Sequence, residues 1–162
     1  MRPRNVVRAG KKLAIATGVL ALCGLALGAT QPSRAAEGAA DANRRVVLAF
    51  YEAGLNRKNY AEAARFLGER YVQHNPMAED GREGFAKFVG FLRANYPGAH
   101  SNVRQAFADG DFVILHVLEK LHPGDRGNAI VDIFRLERGR IVEHWDVKQP
   151  IPDQTANRNG MF

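Results

Sequence analysis

From Asn43 onward the apolar positions of the chain recur first at helical and then at strand spacing. Val46, Val47, Phe50, Gly54 and Leu55 fall three and four residues apart with Arg44, Arg45 and Glu52 outside them, which predicts an amphipathic helix capped by Asn43. A second helix is expected from about Tyr60 to Leu67. A third is expected from Arg82 to Ala94, where Phe85, Phe88, Val89 and Leu92 form one stripe ahead of Pro97-Gly98. Tyr71 to Asn75 reads as a short extended segment, ended by Pro76, which biases the residue before it away from helix. Then the period falls to two. Val103, Gln105 and Phe107 alternate, Ala108 to Asp111 is a turn, Phe112 to Glu119 is rich in strand formers, and His122 to Asp125 breaks the chain.

The last regular stretch, Ile130 to Gln149, reads as a β-hairpin around Glu137-Arg138-Gly139. A three-residue loop would pair Leu136 with Arg140, Phe134 with Val142, Asp132 with His144, and Ile130 with Asp146, all on one face. Phe134, Leu136 and Val142 suit an apolar interior. Asp132, His144 and Asp146 do not, unless they are hydrogen-bonded or used. A two-residue loop would shift the pairing by one and separate Asp132 from His144, because strand side chains alternate between faces.

Helices followed by a run of antiparallel strands indicate an α+β domain with a sheet packed on the helices. The domain occupies residues 44–150, after a small-residue linker over 36–43 and before an aperiodic tail, 151–162. Residues 1–35 have a different character. Five basic residues precede an apolar run from Leu13 to Ala29, and Ser33-Arg34-Ala35 offers small residues where a signal peptidase cuts. This order predicts a secretory signal peptide and an exported protein, periplasmic or extracellular. The alternative is an uncleaved anchor, although the 17-residue run is short of the ~20 that a spanning helix needs.

Export changes the charge. All six charges of residues 1–35 are positive, so of the 23 basic residues 17 remain, against 17 acidic ones. Without a basic excess to neutralise phosphates, nucleic acid is excluded as a partner, and contact with a membrane is confined to the signal segment. Cys23, the single cysteine, lies in that segment, so the mature domain has neither disulfides nor a thiol nucleophile.

Tyr71-Val72-Gln73-His74-Asn75-Pro76, Val131 to Arg135, and Gly139 to Asp146, in the order three helices then a meander, resemble the SnoaL-like polyketide cyclase family of the nuclear transport factor 2-like superfamily. The resemblance spans about Val46 to Gln149. It implies a cone-shaped α+β barrel, three N-terminal helices packed on a curved antiparallel sheet, that encloses a pocket. The superfamily includes cyclases, isomerases, dehydratases and non-catalytic domains, and it often dimerises through the open sheet face, so a homodimer is an expectation here. In the cyclases an aspartate near the end of the last strand serves as acid and base without metal or cofactor. The matching position is Asp146.

The chemistry asks for a base beside a carbonyl and for donors that hold the enolate oxygen in a dry site. Asp146 is the expected base, with His144, Asp132 and His74 orienting or donating; Asp132 with His144 also reads as a structural cross-strand pair. His116, Phe112, Phe134, Tyr71 and Trp145 are the expected ligand contacts. His116 alternates with Phe112, Ile114 and Leu118, which leaves it as either a pocket or a core residue. Steroid-isomerase relatives would need a tyrosine donor in the cone, for which Tyr51 and Tyr71 are the candidates. Metal ligation by His74, His116 and His144 with an aspartate is not expected, because no close ligand spacing such as His-x-His occurs.

These readings converge on a cofactor-independent acid–base lyase or isomerase acting on a small hydrophobic or carbonyl-containing ligand. The alternative is a binding domain of the same fold without turnover.

Overall fold

The structure is a computed structural model that describes residues 34–162. The expected signal segment, with Cys23, lies outside the described residues except for its last two. Helix α1 spans Arg34–Tyr51 and runs into a π-helical turn, Glu52–Asn56. Residues 36–43, expected as a linker, are therefore helical, and Asn43 is not a cap. Its side-chain amide instead donates to the carbonyl of Gly110 at 3.1 Å, which ties the helix to the turn between two strands. The inward positions Asn43, Val47, Phe50, Tyr51 and Gly54 keep the helical spacing that the sequence predicts.

Helix α2 is a single turn, Tyr60–Ala63, capped by Asn59, whose side chain accepts from the Glu62 amide at 3.2 Å. It is shorter than expected. Leu67 already belongs to strand β1, Leu67–Gln73. The guanidinium of Arg82 stabilises this early stop by donating to the carbonyls of Ala64, Leu67 and Gly68. Helix α3 spans Gly81–Asn95 and buries Phe85, Val89 and Leu92 on one stripe.

Four more strands follow: β2, His100–Asp109; β3, Phe112–Lys120; β4, Asn128–Glu137; and β5, Arg140–Pro150. The sheet order is β1-β5-β4-β3-β2. β2 to β5 form an antiparallel meander, and β1 joins the edge parallel to β5. The helices cover one face of this curved sheet. The core between them is aromatic: Phe50 packs on Phe85 with ring centroids 4.9 Å apart and meets Phe134 edge-on at 5.9 Å. Each such buried ring contributes roughly 1.5–3 kcal/mol. Gly54 permits the close approach of α3, because a Cβ there would sit 2.8 Å from Cζ of Phe85.

The terminal hairpin departs from its expected register. Its loop is two residues, Arg138 and Gly139, both at positive φ (50° and 72°), between the paired Glu137 and Arg140. That is the geometry of a type I′ turn, whose twist matches the strands. A bulge then inserts Val142, so that Leu136 pairs with Ile141 but Arg135 pairs with Glu143. Turn and bulge together move the register by two residues, so faces are preserved from Glu143 onward, while before the bulge Ile141, and not Val142 as expected, is the core residue beside Leu136. Phe134 opposes His144, Asp132 opposes Asp146, and Ile130 opposes Lys148.

Candidate active site

A cavity of about 490 Å³ lies between the helices and the inner face of the sheet. Its apolar walls come from Phe50, Phe85, Phe88, Ile130 and Phe134. Tyr51 of α1, Glu79, and the ion-paired Glu119 of β3 and Lys148 of β5 add polar lining, and the remaining polar groups come from three strands. β4 supplies Asp132, β5 supplies His144 and Asp146, and β1 supplies Tyr71 and Gln73, with Asn75 just past its end. Tyr71, Gln73 and Asn75 share the inward side because strand side chains alternate; the parallel pairing sets Gln73 beside His144.

Asp132 is 4% exposed and fully engaged. Its Oδ2 accepts from the Tyr51 hydroxyl at 3.0 Å and its Oδ1 lies 2.9 Å from Nε2 of His144. The other ring nitrogen, Nδ1, is 3.0 Å from Oε1 of Gln73. Phe134 stacks on the imidazole at 4.6 Å and closes it off from one side. Burial, and next the charge of Asp132, push the phenol of Tyr51 well above its ordinary value, so it remains a donor. Burial does the same for Tyr71.

Asp146 stands directly across from Asp132 on the inner face, with Cβ atoms expected roughly 4.5–5.5 Å apart. It is half-buried, and its described side-chain hydrogen bond is from the Asn75 amide to Oδ2, at 2.7 Å. An ionised carboxylate has about four acceptor positions. One is taken by Asn75. The two facing carboxylates are unequally engaged, one with both oxygens hydrogen-bonded within the protein and one with acceptor positions open to the cavity.

The sequence profile described as "SnoaL-like domain" matches residues 47–144, more than half of the chain. The chain belongs to the SnoaL-like domain family. Solved structures agree with this SnoaL-like fold. TsrD of Streptomyces laurentii is 18% identical, with 73% of this chain and 91% of that one covered and a TM-score of 0.55. An NTF2-like protein of Cytophaga hutchinsonii is 25% identical over 67% and 90% of the two chains, with a TM-score of 0.54. A protein of Bacillus cereus provisionally assigned as a polyketide cyclase is 19% identical over 66% and 74%, with a TM-score of 0.57. Among curated proteins none matches the chain by sequence.

Of the residues expected from sequence, the SnoaL-like domain brings Asp132, His144, Asp146, Phe134 and Tyr71 to the cavity. It does not bring the other four there. His74 lies on the outer face, its ring stacked on Trp145 at 4.6 Å and its Nε2 2.8 Å from Oε1 of Glu143. Glu143 is held below the usual carboxylate range by that hydrogen bond and by Arg135. Phe112 lies over Trp145 on the same outer face, 6.5 Å between centroids, and His116 meets the ring of Phe162 from the tail. β3 presents Val113, Leu115 and Val117 to the core, so the face that carries Phe112 and His116 points outward. Among the described residues no cluster of three or more His, Cys, Asp or Glu side chains is arranged to hold a metal.

Sequence reading missed Gln73 and the bond of Asn75 to Asp146. The signal was present in the alternation along β1. If Tyr71 faces the cavity, Gln73 and Asn75 face it too, and His74 cannot.

Proposed function

We propose that this SnoaL-like domain is a cofactor-independent acid–base lyase or isomerase acting on a small carbonyl compound in the 490 Å³ cavity. The observation that carries this reading is the pair Asp132 and Asp146, opposed on the inner face but unequally hydrogen-bonded. Asp146 takes a proton from the carbon beside the carbonyl. The electrons of that C–H bond pass into the enolate, and the proton waits on the carboxyl group. Isomerisation returns it to another carbon; aldol closure instead lets the enolate carbon attack a second carbonyl, whose oxygen then takes the proton.

Asp146→Asn tests the assignment. The introduced amide oxygen still accepts from Asn75, so stability should hold while turnover of a carbonyl substrate falls by roughly a hundredfold to ten-thousandfold. Undiminished turnover ends the role of Asp146. A second reading, a binding domain without turnover, is favoured by the complete satisfaction of Asp132, which equally suits a structural pair that pins the sheet. It predicts ligand affinity that survives Asp146→Asn and no substrate that is consumed.

Two further parts of the proposal concern place and assembly. The basic, apolar and small-residue order of residues 1–35 supports export with a mature start near Ala36, checked by the mass of exported protein. The outer sheet face exposes Phe107, Phe112, Ile114, Val131 and Val147, the last at 71%, and a second copy is the proposed cover. Sedimentation of wild type and Phe107→Lys checks it; a wild-type monomer at high concentration removes the dimer.

A further inference from the structure

One side chain, Gln73, hydrogen-bonds to three of the residues that line the cavity: Asn75, His144 and Tyr71. Its Oε1 accepts the backbone N–H of Asn75 at 2.9 Å. A backbone N–H can only donate, so the amide orientation is decided: oxygen toward Asn75, nitrogen away from it. The same Oε1 faces Nδ1 of His144 at 3.0 Å, and an oxygen acceptor there requires that Nδ1 carry a proton. Nε2 then faces Asp132 Oδ1 at 2.9 Å with a single proton between them. Whichever atom holds that proton, the pair has no net charge. This lets it stay buried opposite Asp146.

The nitrogen end has a second consequence. Nε2 of Gln73 donates to the Tyr71 hydroxyl oxygen at 3.3 Å. An amide NH₂ cannot accept, so the Tyr71 proton must turn elsewhere, and the hydrogen bonds of the described residues give it no protein acceptor. Tyr71 lines the cavity beside Asp132 and Asp146. Burial keeps its phenol protonated throughout the physiological range.

We propose that Gln73 is the positioning residue of the cavity: it obliges His144 to keep its proton on Nδ1 and turns the Tyr71 hydroxyl proton toward the ligand, so that the site selects molecules with an acceptor oxygen. The backbone of Gln73 is itself pinned, its N–H donating to Asp80 Oδ1 at 2.8 Å. This inference rests on the acid–base reading for its catalytic meaning and reads out by binding alone.

The probes are 1-indanone and indane, which share a ring system and differ by one oxygen, measured by calorimetry on the purified protein. Wild type should bind the ketone about tenfold more tightly than the hydrocarbon. Tyr71→Phe should abolish that preference. Gln73→Glu keeps an acceptor for His144 and Asn75 but offers the Tyr71 proton a carboxylate, so it should also lose the ketone preference while nitrogen-15 NMR of the His144 ring stays as in wild type. Gln73→Leu removes the acceptor, and the Nδ1 proton signature should disappear. Equal wild-type affinity for the two probes, including no measurable binding of either, overturns the proposal. So does a ketone preference that survives Gln73→Glu, or an Nδ1 proton that survives Gln73→Leu. A protein that prefers the ketone but converts no carbonyl compound fails the lyase reading alone; one that converts such compounds without the preference fails this one alone.

Discussion

Replacing Asp132 tests whether the inner end of the cavity is held by charge or by hydrogen-bond count. Asp132→Ala strands two buried groups, the Tyr51 hydroxyl 3.0 Å from Oδ2 and the His144 Nε2 2.9 Å from Oδ1. Each stranded group costs about 1–3 kcal/mol, and the adjoining cavity admits water that moderates both, so a total of roughly 2–4 kcal/mol is expected. For a domain of this size that corresponds to a fall in Tm of about 8–16 °C. Asp132→Asn differs in kind. The amide oxygen accepts from Tyr51, and the amide nitrogen donates to the lone pair of a neutral His144, whose Nδ1 proton stays on Gln73. Every partner remains satisfied, and the loss should stay below about 1 kcal/mol. Thermal and urea unfolding of the three proteins, followed by near-ultraviolet circular dichroism, measures the contrast. Equal destabilisation by asparagine and alanine would show that the carboxylate charge itself holds the site, which would refute the reasoning from satisfied partners.

Other consequences are independent of this pair. Burial holds the phenols of Tyr51 and Tyr71 protonated in the folded state, above the ordinary 10.0, so the unfolded chain ionises them first. Stability is complete below pH 10 and falls as pH rises beyond it, by ~1.4 kcal/mol per pH unit for each tyrosine; tyrosinate absorbance should show these two titrating only as the chain unfolds. Arg138 sits at φ 50° in a type I′ turn that favours asparagine, so Arg138→Asn should raise stability by about 0.5 kcal/mol in urea unfolding. Gly54→Ala would place a Cβ 2.8 Å from the Phe85 ring and should cost about 1–3 kcal/mol, read by the same method.

Periodicity along the chain was enough to place α3, the second half of α1 and the terminal hairpin, and to put Asp132, His144 and Asp146 on one side of the sheet. Face membership survives errors of loop length when they come in twos. The three-residue loop expected around Glu137-Arg138-Gly139 is a two-residue turn plus a bulge at Val142, and the sum restores the alternation. Family membership was likewise legible in the quoted motifs, because they carry the meander and its turn.

What sequence could not decide is which face turns inward where both are apolar. On β3, Phe112 and Ile114 alternate with Val113 and Leu115, and either set would serve as a core. The helices settle it by covering Val113, Leu115 and Val117, which sends His116 and Phe112 outward, while β1 places His74 on Trp145. The partners of the polar groups are also a product of tertiary structure. Tyr51 reaches Asp132 across 81 residues and Asn75 reaches Asp146 across 71, and no local pattern encodes a contact between a helix, an edge strand and a hairpin that meet only when the sheet curves around the core.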